Sequence, residues 1–142
     1  MKAFRDIDIQ ELLPQQPPFR FVDHLEDYQD QEAVISFTPG PGNLLMENGV
    51  LCAEGLLEHM AQANAAREGY RCLYVLHIPV SIGVIGQVRQ YQIYRLPREG
   101  ERLDTRVFLR YEMFKVCLCD VEVRCGDELL ATATLKTAIL DE

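Results

Sequence analysis

The chain has 142 residues, 48% of them hydrophobic and 25% charged, which is enough to bury one core, and we read residues 1–142 as one domain. A formal charge of −8 excludes nucleic acid as a general partner, because binding to phosphates needs a basic surface. No apolar run reaches the length of a bilayer span and the first ten residues, MKAFRDIDIQ, hold no signal-peptide core, so a cytoplasmic protein is expected.

Residues 6–13 predict a short helix that stops before Pro14, and Gln15–Pro18 an extended or turn segment, since proline removes a donor and biases its predecessor out of the helical region. Residues 19–28 and 32–38 read as two strands joined by a polar turn, and PGPGN at 39–43 as a loop. The stretch from Glu47 to Gly69 is the one long segment with helical periodicity. Ala53, Leu56, Leu57, Met60 and Ala63 fall on one broad apolar face, while Glu54, Glu58 and Gln62 stack four residues apart on a second stripe. Asn48 is the expected cap, Gly49 a tight entry and Gly69 the stop.

Beyond Gly69 the pattern predicts strands: 73–86, 88–96, 103–113, 114–125 and 128–140, with Gly83 and Gly86 marking a bend and Gly126-Asp127 a hairpin turn. In 88–96, Val88, Gln90, Gln92 and Tyr94 are expected on one side, and Arg89, Tyr91, Ile93 and Arg95 on the other. Cys117, Cys119 and Cys125 share parity with Val121 and Val123 and read as small buried hydrophobes. None of the five cysteines has the spacing of a zinc or redox pair, so no metal is expected. Two strands, one long helix and about four more strands define an α+β plan, a curved antiparallel sheet wrapped around the helix. A helix so covered should not carry Glu54, Glu58 and Gln62 unless they have partners. The bland alternative is a solvated polar stripe.

Three pieces of the chain resemble the hotdog-fold 3-hydroxyacyl-[acyl-carrier-protein] dehydratases and their relatives in aryl-polyene-type pathways. Leu13-Pro14-Gln15-Gln16-Pro17-Pro18-Phe19 with Phe21-Val22-Asp23 is similar to an opening L-P-H-R-x-P-F and V-D. Gly49-Val50-Leu51 followed by Glu58-His59-Met60-Ala61-Gln62-Ala63 resembles G-V-L and E-x-M-A-Q-A, the most specific piece. Val88-Arg89, Pro97, Gly100 and Leu103 resemble a late V-R-F…P-G-D-x-L. Two departures stand out. The G-H-F-P segment that carries the family's catalytic histidine reads Gly40-Pro41-Gly42-Asn43-Leu44-Leu45-Met46, and the histidine of the opening motif is Gln15. About one extra turn before Glu58 makes Glu54 a competitor for the family's acidic position, with Glu58 favoured by its matching neighbours.

The resemblance implies a hotdog fold, no cofactor, an acyl thioester substrate on acyl carrier protein, and at least a homodimer with sites at the subunit interface. It implies Glu58 as the carboxylate that protonates the leaving hydroxyl or orients water. Gly49 and Val50 are expected at the helix N-terminus, where free N–H groups could polarise a thioester carbonyl, or else simply to let the chain enter the helix. Gln62 could hold the carboxylate or a substrate hydroxyl, or be an ordinary interior amide. His24, His59 and His77 are read as structural. Arg67, Arg71, Arg89, Arg95 and Arg98 could form a basic patch for an acidic carrier, or pair across exposed strands. A dehydratase-like enzyme, a thioesterase using the helix carboxylate, and a non-catalytic acyl-binding or partner subunit all fit these residues.

Overall fold

The computed structural model describes residues 3–81 and 83–139. In place of one N-terminal helix there are two single 3₁₀ turns, Phe4–Asp6 and Ile9–Glu11. Asp8 divides them, because its side chain accepts a hydrogen bond from the Gln10 N–H and so caps the second turn. Strands β1 (His24–Gln29) and β2 (Glu32–Phe37) form a hairpin, and two-residue strands β3 (Met46–Glu47) and β4 (Val50–Leu51) form another. Helix α1 (Ala53–Tyr70) follows, then β5 (Gly83–Ile93), β6 (Leu103–Met113), β7 (Val116–Cys125) and β8 (Glu128–Ile139). The six long strands make one antiparallel sheet in the order β1-β2-β6-β7-β8-β5. Among the described residues strand β5 is therefore an edge, paired only with β8.

The core lies between α1 and the inner face of the sheet. Leu56, Met60, Ala63 and Ala66 are fully buried on the helix, against Ile35, Phe37, Leu103, Val107, Cys119, Val121 and Leu135. Period-2 alternation brings the sheet residues to one face, and full burial of each large side chain is worth roughly 1.5–3 kcal/mol. Cys117 and Cys119 belong to this face, as their parity with Val121 and Val123 predicts, and Cys125 is half-buried behind them.

The helix begins later than its periodicity suggests. Asn48 and Gly49 both have positive φ, 53° and 78°, and form the turn of the β3–β4 hairpin, a pairing that Asn-Gly favours. The N-cap is Cys52, with no side-chain hydrogen bond. At the other end Gly69 does not stop the helix, which continues through Tyr70 into a π-helical turn, Arg71–Val75. The expected strand over 73–82 is absent from the described residues. Leu76 N–H donates to Arg71 O and Ile78 N–H to Cys72 O, so these helical-type bonds override the strand preference of Leu73-Tyr74-Val75. The chain then turns at His77 (φ 55°) before entering β5. Within β5, register shifts occur at Gly86 and between Arg89 and Gln92, where Gln90 has φ 52°. The second bulge breaks the expected alternation: Val88 and Tyr91, three residues apart, both pack on the core.

Candidate active site

Residues 12–21 run along α1 in the opposite direction to it: Leu12 lies against Gly69, and Phe19 and Phe21 against Gln62. This arrangement gives the buried Gln62 amide three partners. Its Oε1 accepts from Phe21 N–H at 2.7 Å, which fixes the amide orientation, and its Nε2 donates to Phe19 O at 2.9 Å and to Glu58 Oε1 at 2.8 Å. Gln62 is thus both an interior amide with backbone partners and the group that holds Glu58. The half-buried Glu58 faces a cleft of about 340 Å³ between α1, the start of β5 and the end of β8, walled by Ala61, Ala65, Val84, Ile85 and Ile139. Glu54, one turn earlier, is exposed and does not line it.

His59, about 100° around the helix from Glu58, is buried and stacked on Phe37. Phe21 O, 2.7 Å from Nδ1, can only accept, so Nδ1 carries the proton and Nε2 accepts from the Thr105 hydroxyl at 2.6 Å. Burial disfavours the charged ring, lowering its pKa to about 4 despite the Phe21 bond. Above the ordinary value near 6.5 both folded and unfolded chains are neutral here. Between 6.5 and about 4 only the unfolded chain takes the proton, so stability falls by about 3 kcal/mol as pH drops through that window. Urea unfolding of wild type and His59→Gln should show a steeper acid loss in wild type. The comparison matters because burial raises the carboxyls of Asp23 and Glu68, which push the other way.

His24 opens β1 and His77 is exposed in the loop before β5; among the described residues no histidine lines the cleft. Gly49 and Val50 are not at the helix N-terminus. Gly49 O accepts from Glu99 N–H and Val50 bridges to Arg98, so the N–H groups at the start of α1 are those of Ala53, Glu54 and Gly55 and not theirs. The arginines are mostly engaged: Arg71 with Glu112, Arg95 with Glu101 and Glu128, and Arg67 is buried. Only Arg89 and Arg98 of the five are free of ion pairs among the described residues.

Three cleft residues were not placed at the site by the sequence-based reading: Gln15, read as the replacement of the opening motif's histidine, Arg67, read as part of a surface patch or cross-strand pairing, and Glu68. Arg67 could have been found, since it follows Met60 by seven positions and Ala63 by four, on the buried face. Glu68, Glu112 and Cys117 form one triad of metal-ligand types among the described residues. Arg67 and Arg71 already neutralise its carboxylates, and burial with the nearby Glu112 pushes the Cys117 thiol up to about 12. It is an ion-pair cluster. A hollow of about 400 Å³ on the outer sheet face, among Arg106, Asp120 and Glu122, is bordered by exposed ion pairs and holds no comparable constellation.

A long helix wrapped by a curved antiparallel sheet, with a carboxylate held by a glutamine one turn on, defines a dehydratase-like hotdog protein. The chain belongs to the ApeP-like family of ApeP dehydratases, whose model matches residues 7–141. The fold is similar to the dehydratase heterocomplex ApeI:P of Xenorhabdus doucetiae, with 20% identity and TM-score 0.87 over 96% of this chain and 93% of that one. It is also similar to the E. coli PaaI protein of the phenylacetic acid degradation operon, with 14% identity and TM-score 0.64 over 80% of each chain. A hypothetical thioesterase with coenzyme A from Streptococcus pneumoniae has 14% identity and TM-score 0.63, covering 83% of this chain and 85% of that one. No curated protein matches the sequence significantly. Among the described residues no helix is long and apolar enough to cross a membrane.

Proposed function

We propose that this chain is one half of a hydro-lyase acting on 3-hydroxyacyl thioesters, carried on acyl carrier protein, in polyene-type lipid biosynthesis. The observation that carries the reading is the Glu58 carboxylate, fixed through one oxygen by Gln62 at the side of an apolar-walled cleft. Dehydration needs a base to take the α-proton and an acid to give a proton to the departing 3-hydroxyl. Glu58, in its protonated form, gives that proton through the oxygen that Gln62 leaves free, and water departs. The base comes from elsewhere, because no described residue of the cleft offers a histidine.

A second hotdog subunit is the natural source. Among the described residues strand β5 has one unpaired edge, carries exposed Val84, Ile85 and Ile93, and its first residues wall the cleft, so a strand added there covers both. The relative ApeI:P is a heterocomplex, which favours a distinct hotdog partner carrying the histidine over a second copy of this chain. A thioesterase remains the second reading, favoured by a carboxylate without histidine on a fold shared with thioesterases.

The test is enoyl-thioester hydration and 3-hydroxyacyl-thioester dehydration, with thiol release followed in parallel. The chain is assayed alone and mixed with a histidine-bearing hotdog partner. Hydro-lyase turnover that arises only in the mixture is the expected result. Thiol release by the chain alone would move the assignment to a thioesterase, and silence from a formed complex would make it a binding subunit.

A further inference from the structure

Glu58 and Gln62 line the cleft, yet the seat they share is tied to the core of the sheet. Phe21 lies just ahead of β1, outside the ladder, so its buried N–H and carbonyl need partners of their own. Both find them on α1: the N–H donates to Gln62 Oε1 at 2.7 Å, and the carbonyl accepts from His59 Nδ1 at 2.7 Å. His59 is held in turn from the sheet. Thr105, fully buried on β6, donates its hydroxyl to Nε2 at 2.6 Å, and the ring stacks on Phe37, which meets Phe21 edge to face. By filling Nε2, the Thr105 hydroxyl leaves Nδ1 as the N–H that Phe21 O requires. The bonds therefore run without a break from Thr105 through His59, Phe21 and Gln62 to Glu58, the last being the 2.8 Å bond from Gln62 Nε2 to Glu58 Oε1. Gln62 is long and flexible, so its amide and the 19–21 segment can shift together. The short, rigid imidazole, clamped at both nitrogens, fixes that segment to helix and sheet at once.

We propose that His59 is a positioning residue for Glu58, holding the carboxylate in place through Phe21 and Gln62. Neither His59 nor Thr105 lines the cleft, so their effect falls on the geometry of proton delivery and not on substrate binding. The role rests on Glu58 as the acid of the hydro-lyase reading above.

The test separates the two ends of the imidazole. An asparagine amide can place its nitrogen where Nδ1 stands and keep the donor to Phe21 O, whereas a glutamine reaches the place of Nε2 and keeps only the Thr105 contact. In the complex with the histidine-bearing partner, His59→Asn should hold kcat close to wild type. His59→Gln should lose roughly tenfold to a hundredfold in kcat with KM little changed. A histidine that merely filled the core would cost both variants stability and leave kcat per folded molecule alike in the two. If neither folds, Thr105→Val and Thr105→Ser decide: valine should lower kcat and serine restore it. The nitrogen-15 shifts of the ring should move toward the Nε2–H tautomer in Thr105→Val alone. The Gln62 side-chain amide is followed by NMR in the chain by itself, which needs neither partner nor turnover. Its Nε2 protons should exchange with water roughly tenfold or more faster in His59→Gln than in wild type or His59→Asn. Equal kcat in the two His59 variants, full kcat in Thr105→Val, or Gln62 exchange unmoved in His59→Gln overturns the positioning role. A Gln62 amide that responds as expected in a complex without hydro-lyase turnover would leave that role standing and remove the dehydratase reading. Turnover that ignores His59 would do the reverse.

Discussion

Replacing Glu58 by glutamine is expected to lower hydro-lyase turnover by roughly 10²–10⁴-fold, the usual worth of a positioned acid. The substitution keeps the side chain's size and an oxygen for the Gln62 Nε2 donor, so the bond that orients it survives. What it removes is the proton to be given. Loss should therefore fall on kcat with KM little changed, and the melting temperature should stay within a few degrees. Glu54→Gln is the matched comparison, because Glu54 carries the same chemistry one turn earlier but is exposed outside the cleft. Full turnover in Glu58→Gln with loss in Glu54→Gln would reassign the acid. Gln62→Leu should behave differently from both. It strips partners from Phe19 O, Phe21 N–H and Glu58 together, so stability and turnover fall in the same variant.

What could be read from the chain and what could not divides along local and non-local physics. The sheet was legible because Thr105, Val107 and Leu109, or Cys117, Cys119 and Val121, repeat with the strand period on one buried face. The misplaced polar stripe was legible too, since periodicity alone puts Glu58 and Gln62 on a helix that must be covered. Its solution was not. The partners of Gln62 are two backbone groups some forty residues away, and nothing in the local pattern announces them. The same holds for His59, whose neutral state is set by Phe21 and Thr105 from different elements. Errors cluster at the two ends of the helix. Asn48-Gly49 carries equal signals for a cap and for a hairpin turn, and pairing of Met46 with Leu51 chose the turn. Leu73-Tyr74-Val75 has strand-like side chains, yet continuation of helical hydrogen bonds past Tyr70 won. The first of these slips is what moves Gly49 and Val50 away from the helix start.

Gly69 supplies the sharpest structural prediction, because two principles give it opposite signs. In an exposed helix interior, glycine to alanine stabilises by about 1 kcal/mol. Here a Cβ would stand 1.9 Å from Leu12 O and 2.7 Å from Leu12 C. These are backbone atoms, not the movable tip of a side chain, so either the helix or the 12–15 segment must shift. That segment is anchored by the fully buried Leu12 and Leu13, and it leads into the Phe19 and Phe21 groups that hold Gln62. Overpacking against such an anchor exceeds the propensity gain, and Gly69→Ala should lose roughly 3 kcal/mol in urea unfolding. The displacement also propagates toward the site, because moving residues 12–21 slackens the clamp on Glu58. Turnover in the folded fraction should therefore fall, although Gly69 is eleven residues from the carboxylate. A Gly69→Ala protein as stable as wild type would mean that helix and segment can separate without cost, and the rigid seat for Glu58 would have to be sought elsewhere.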